Sequence, residues 1–201
     1  MLRNPISANS NDILKQLRQA EYGAHYIIVY DDMMTLRQIY SGYIKTQIED
    51  NNELVLILPY YETTETVRRV LSGENNSSNG GSIIDVRKYE KEGSLMIIDA
   101  AEAYFSSDTD LMSFVEKLSK QAQSYGKKGI SVIADLASFY HFNRIDKLIE
   151  YEMSLPTKYD DKMKLKGFCF YHQEDFDRRL SKEEKQKLLE HHDKALLVVK
   201  H

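Results

Sequence analysis

Carboxylates fall where the apolar runs of this chain stop. Asp31 and Asp32 follow Tyr26-Ile27-Ile28-Val29-Tyr30, and Glu62 follows Leu54–Leu58 and its Pro59-Tyr60-Tyr61 turn. Asp99 and then Glu102 follow Leu95-Met96-Ile97-Ile98, and Asp135 closes Ile130-Ser131-Val132-Ile133-Ala134. Two chemistries suit such a set. Gathered at one edge of a sheet, Asp31, Asp32, Asp99 and Asp135 offer the several oxygens that a hard cation takes. Taken singly, each is a strand-end residue that caps the turn after it. A triphosphate needs glycines that aim backbone N–H groups at it and a lysine to meet its charge. The chain has no G-x-x-x-x-G-K-[ST], and Asp31-Asp32 would repel a phosphate at the first strand-to-helix turn. Gly126-Lys127-Lys128-Gly129 follows a helical pattern and precedes a strand, the wrong order for a phosphate loop, and reads as a helix C-cap. ATP hydrolysis by the usual route is not expected.

Around the carboxylates stand Met33, Tyr60, Tyr61, Tyr104, Tyr140 and His172. In open parallel sheets ligands bind beyond the carboxyl ends of the strands. That places Asp31, Asp32, Met33, Tyr60, Tyr61, Glu62, Asp99, Glu102, Tyr104, Asp135, Tyr140 and His172 at a candidate pocket for a small, partly apolar organic molecule. The chain's 14 tyrosines would put some aromatics there in any arrangement. The remaining histidines and the cysteine read as structural. His25 precedes the first strand, and His191-His192 sit near a helix end, where a cation favours the dipole. Tyr151-Glu152 reads as packing with a buried hydrogen bond. Cys169 lies among Phe168, Phe170 and Tyr171 as an inert buried thiol. With no nucleophile–base pair and no metal-ligand spacing, no catalytic residue, metal or cofactor is expected.

The elements that must position these residues follow from periodicity. Ser10-Asn11-Asp12 caps a short first helix that ends at Gly23, so residues 1–22 form an N-terminal helical segment and 23–201 a single α/β domain. A helix over Met34–Glu49 buries Leu36, Ile39, Tyr40 and Tyr43. Leu54–Leu58 is apolar throughout, as a parallel strand covered on both faces is. Thr63 or Thr64 caps a third helix, and Ser72–Ser82 (SGENNSSNGGS) is a flexible surface loop. Ile83–Val86 is a short edge strand and Leu95–Ile98 a clearer one. Asp108 or Thr109 starts a helix closed by Gly126, and Phe142–Met153 forms the helix after strand 130–135. Gly167–Tyr171 is a strand, Ser181-Lys182-Glu183-Glu184 a capping box, and Ala195–Val199 a last strand. The alternation makes a three-layer α/β/α sandwich with a mostly parallel sheet.

Composition excludes several classes. The net charge of −4 and the mixing of Glu and Asp among the C-terminal lysines argue against direct nucleic-acid binding. One cysteine leaves no internal disulfide and fits a reducing cytoplasm. The N-terminus has no apolar signal core, and no run approaches the ~20 apolar residues that span a bilayer.

The order of these features resembles the MEDS domain, the sensory domain of methanogens and methylotrophs. The resemblance runs from about Gly23 to Val199. It is carried by His25 with IIVYDD, by LVLILP, LMIIDAAEAYF, GKKGISVIADLASFY, LIEYEMSLP and GFCFYHQEDF, and by LLEHHDKALLV. Asp135 stands where a Glu is more usual, Asp193 where a Pro usually follows the last histidine, and Ser72–Ser82 looks inserted. The resemblance implies a RecA/KaiC-like ATPase-derived fold without its phosphate loop. It implies a non-catalytic sensor of small organic or hydrocarbon-derived compounds that signals, as a monomer or homodimer, through a protein partner such as a kinase or transcription regulator. The alternative is a degenerate KaiC-like protein that still binds nucleotide or serves an active ATPase without hydrolysis of its own.

Overall fold

The structure is a computed structural model that describes residues 5–74, 83–105 and 110–199. Its strands are β1 (Ile6–Ala8), β2 (His25–Tyr30), β3 (Leu54–Leu58), β4 (Leu95–Ile97), β5 (Ile130–Asp135), β6 (Leu165–His172) and β7 (Lys194–Val198). They form one seven-stranded sheet in the order β1-β7-β2-β6-β5-β3-β4, every neighbouring pair parallel. The central strands are buried along their whole length, which is why they read as unbroken apolar runs rather than alternating ones.

Helices cover both faces. On one lie α1 (Ser10–Arg18), α2 (Met33–Lys45), α3 (Thr64–Ser72) and α4 (Val86–Lys91). On the other lie α5 (Ala100–Phe105), α6 (Leu111–Ser124), α7 (Ala137–His141), α8 (Ile145–Ser154), α9 (Gln173–Arg179) and α10 (Lys182–His191). Chain leaving β2 and β3 crosses to the first face, while chain leaving β5 and β6 crosses to the second. The direction of crossing changes between β2 and β6 and between β5 and β3, the kind of place where ligands bind at the carboxyl edge of open parallel sheets.

Several boundaries differ from the sequence expectations, each for a local reason. The N-terminal segment holds a strand as well as a helix: β1 lies along β7, with Ile6 opposite Leu196. Ile83–Val86 is not a strand, because the Asp85 side chain accepts the Lys88 backbone N–H at 3.0 Å and starts α4. The helix expected over Phe142–Met153 begins only at Ile145, as α8: Phe142 is exposed and ends α7, and Asn143, whose φ of 53° is left-handed, separates the two helices. Asp110 caps the described part of α6, while the caps expected at Asp108 or Thr109 and most of loop 72–82 lie outside the described residues. Thr63 and the Ser181–Glu184 capping box sit as expected. No helix among the described residues is long and apolar enough to cross a membrane.

Candidate functional site

Parallel pairing brings the strand ends side by side. Asp135 ends β5 beside the Tyr60-Tyr61-Glu62 turn after β3, and its carboxylate accepts the Ala137 N–H at 2.9 Å and the Tyr61 N–H at 3.5 Å. Burial raises the Asp135 carboxyl to about 7 against these stabilising N–H groups, with the nearby Glu62 charge adding to the rise. Glu62 is itself buried, taking the Arg37 guanidinium at 2.7 Å and the Tyr40 hydroxyl at 3.1 Å. Tyr61 packs against His172 and donates its hydroxyl to Asp175, and Tyr30 packs edge-on against the same imidazole.

The space left among Met33, Tyr60, Glu62 and Asp135 is about 20 Å³. That is room for a single water molecule, not for a nucleotide. Asp32 occupies the α2 N-terminus: its carboxylate accepts the Met34 and Thr35 N–H groups at 2.9 and 3.0 Å and the Thr35 hydroxyl at 2.7 Å. Asp99 accepts the Glu102 N–H at 3.1 Å and starts α5, Glu102 itself being exposed. The structure thus brings Met33, Tyr60, Tyr61, Glu62, Asp135 and His172 into one neighbourhood. Asp32 and Asp99 act as local caps, and Asp31 lies half-buried after β2.

Tyr104 and Tyr140 belong elsewhere. Tyr104 packs on Phe139 and Tyr151, at centroid distances of 4.9 and 5.3 Å, and these rings floor a cleft of about 400 Å³. Its walls are α5, the start of α6, α7 and α8. Arg144 stands at the rim with its guanidinium over the Phe105 ring, and Lys147 pairs with Glu150 beside it. This volume lies within the range of small-molecule sites. Tyr140 is buried behind α7, and neither its hydroxyl nor that of Ser138 has a hydrogen-bond partner among the described residues.

Beneath the cleft floor lies a group that residue-by-residue reading missed. In register, His25 opposes Gly167, Ile27 opposes Cys169 and Val29 opposes Tyr171. Side chains at alternate strand positions share a face, so His25, Cys169 and Tyr171 all point toward α8. That helix sends Glu152 back at them, and His192 joins from the turn before β7. His25, Glu152, Cys169 and His192 are all buried, and their potential ligand atoms lie within 4.8 Å of one another. His25 Nδ1 donates to the Pro156 carbonyl and His192 Nδ1 to the Leu188 carbonyl, each at 2.8 Å. A carbonyl can only accept, so both protons sit on Nδ1. The Nε2 lone pairs face inward, His25 toward Cys169 Sγ at 3.5 Å and His192 toward Glu152 Oε2 at 3.4 Å.

The Tyr171 hydroxyl donates to Glu152 Oε1 at 2.5 Å, which is the buried hydrogen bond expected of Glu152. Burial, reinforced by His192, holds His25 down at about 4, so it is neutral near pH 7. Burial would raise Glu152, but positive charge at its contact with His192 and the Tyr171 hydrogen bond act the other way and hold its carboxyl below the usual range. Burial and the Glu152 charge push the Cys169 thiol well up, the opposite of what a nucleophile needs. His191 is not part of the group: its Nε2 meets the Leu155 carbonyl at 2.7 Å.

Among curated proteins none matches this chain. A KaiC-like protein, PH0186, from the hyperthermophilic archaeon Pyrococcus horikoshii OT3 is similar in structure, with a TM-score of 0.51 at 18% identity. The likeness covers 75% of this chain and 62% of that one. At that identity it speaks for the fold alone, a RecA/KaiC-like α/β sandwich. The model of the MEDS family, the MEthanogen/methylotroph, DcmR Sensory domain, matches residues 24–193. As that match spans most of its length, the chain belongs to the MEDS family of sensory domains.

Proposed function

We propose that this chain senses a small, flat, largely apolar organic molecule in the cleft between α5 and α8, and passes its occupancy to a protein partner such as a kinase or transcription regulator. The observation that carries this reading is the cleft itself. About 400 Å³ is floored by Tyr104, Phe139 and Tyr151, with Arg144 placed to meet a polar end. The sensory character of the family supports the role. A nucleotide fits poorly with the edge of the sheet, where about 20 Å³ remains and Asp32 already fills the helix N-terminus.

A thermal-shift panel of small aromatic and aliphatic organics, run beside ATP with Mg²⁺, tests the proposal. Stabilisation by an organic compound, lost in the exposed-rim variant Arg144→Glu or in Tyr104→Ala, is the expected result. Stabilisation by MgATP alone would replace this reading with that of a degenerate KaiC-like nucleotide binder.

A further inference from the structure

Four lone-pair atoms converge on one dry point beneath the cleft, and they carry at most one proton among them. The carbonyls of Pro156 and Leu188 fix both imidazole protons on the outer nitrogens, so the only proton inside is the thiol's. Yet His192 Nε2 and Glu152 Oε2, two electron-pair donors, face each other at 3.4 Å. Such a contact is attractive only when a cation stands between or upon them, either a proton that makes His192 imidazolium or a metal ion.

The remaining geometry distinguishes these. Besides the 3.4 Å contact, the separations are 3.5 Å from His25 Nε2 to Cys169 Sγ, 3.9 Å from Sγ to Glu152 Oε2 and 4.0 Å from His25 Nε2 to Oε2. Tetrahedral bonds to zinc of about 2.0–2.3 Å place ligand atoms roughly 3.3–3.8 Å apart. These four separations are near the tetrahedral range and the other two lie within 4.8 Å, so the group is a loose tetrahedron that closes by up to about an ångström on the metal. A proton on His192 accounts for the Glu152 contact and the thiol proton for the His25 contact, pair by pair, whereas a metal ion accounts for all four donors turning to one centre.

We infer that His25 Nε2, His192 Nε2, Cys169 Sγ and Glu152 Oε2 form a closed, four-ligand site for a divalent d-block cation, zinc foremost. Two imidazoles, a thiolate and a carboxylate suit a borderline-soft ion, and an all-oxygen cage for calcium or magnesium would look different. Charge closes as well: a thiolate and a carboxylate cancel a dication, so the buried site becomes neutral when filled. Binding forms the Cys169 S–M bond as the thiol proton leaves to solvent, with no change of oxidation state. The outer partners belong to such a site too: each histidine donates Nδ1–H to a carbonyl, and Tyr171 holds the far oxygen of Glu152. With four protein ligands and no open position, the ion is structural. It ties β2, β6 and the turn before β7 to α8, the helix that also walls the cleft.

The test uses the untagged, full-length chain, purified without chelator. Mass-spectrometric metal analysis is expected to find one equivalent of zinc per chain, and exchange with Co²⁺ to give a thiolate-to-cobalt charge-transfer band. Cys169 is the only cysteine, so that band can come from nowhere else, and the wild-type protein decides the matter even where a variant fails to fold. Cys169→Ala, with its fold checked by circular dichroism, is expected to lose both metal and band. Tyr171→Phe is expected to weaken metal affinity by about 10–100-fold. Folded wild-type protein that keeps no zinc and shows no cobalt–thiolate band overturns the inference and leaves a buried His192–Glu152 ion pair. Full metal content in folded Cys169→Ala overturns it as well.

Discussion

Asp135→Asn exchanges the buried strand-end carboxylate for a neutral group of nearly the same shape. Asp135 is 6% exposed and its carboxyl is raised to about 7, burial being the main cause. The unfolded chain releases this proton near the ordinary carboxylate value of about 3.9. The native state therefore binds the proton more tightly than the unfolded state, and native stability falls as pH rises from about 4 to about 7. A difference of about three pH units at about 1.36 kcal/mol each makes the ionised form cost the native protein about 4 kcal/mol above pH 7. Asparagine escapes this cost and keeps an oxygen for the Ala137 N–H. Its misfit at the Tyr61 N–H is the same at every pH and cancels when two pH values are compared. Urea unfolding of both proteins at about pH 5 and about pH 8 should show the variant gaining roughly 2–3 kcal/mol relative to wild type between the two. An unchanged difference would refute the reasoning. It would mean that Asp135 is ionised throughout, with a cation beside it at the strand edge.

Three further outcomes follow from the packing. Lys166 and Glu53 form an ion pair at 2.7 Å, both side chains at most 5% exposed, and Ser131 and Gln47 complete its hydrogen bonds. Lys166→Met strands a buried carboxylate and should cost about 3–5 kcal/mol by urea unfolding, with Glu53→Gln in the same chain restoring part of the loss. Ser181→Ala removes the capping box of α10 and should cost about 1 kcal/mol, read as a lower melting temperature. A Cβ at Gly167 would come within 2.8 Å of the Tyr159 ring, which packs beside His25. Gly167→Ala should therefore destabilise by about 1–3 kcal/mol, and an unaffected denaturation curve would show that the ring moves aside freely.

How far the sequence reaches depends on the distance over which each feature is decided. The β2 turn, the Thr63 cap and the Ser181–Glu184 box are settled within a few residues, and all were legible. The break at Asn143 and the helix begun by Asp85 are local too, but they turn on a single left-handed residue and a single cap that compete with apolar periodicity. β1 was invisible because three residues, Ile6–Ala8, gain strand structure only by lying against β7 from the far end of the chain. The neighbourhood of Asp135, Tyr60, Tyr61 and Glu62 was legible because strand ends of a parallel sheet must share an edge. Tyr104 went astray because α5 carries it over the second face, away from that edge. His25, Glu152, Cys169 and His192 looked structural one by one. Their meeting depends on β2 pairing with β6 and β7, which no local pattern reveals. The usable signal was that each of the four sits inside one of the motifs carrying the family resemblance.

These placements suggest how a nucleotide fold becomes a sensor. In the phosphate-binding form of such a sheet, the first helix after the first strand of the unit presents bare N–H groups to an anion. Here Asp32 supplies the anion from within the chain, satisfying Met34 and Thr35, and Asp135 is walled in by the Tyr60–Glu62 turn. Little space remains at this part of the carboxyl edge, about 20 Å³ among Met33, Tyr60, Glu62 and Asp135. The proposed ligand cleft instead lies where helices, not strand ends, meet, above a floor of aromatic rings on α5, α7 and α8. Such a site is read out differently from a nucleotide pocket. On the proposed reading a ligand there would push on α8, and because α8 is held to the sheet through Glu152, its displacement would strain the contacts of Glu152 with His192 and Tyr171. On that reading, binding in the cleft and the integrity of the buried cluster would be coupled through α8.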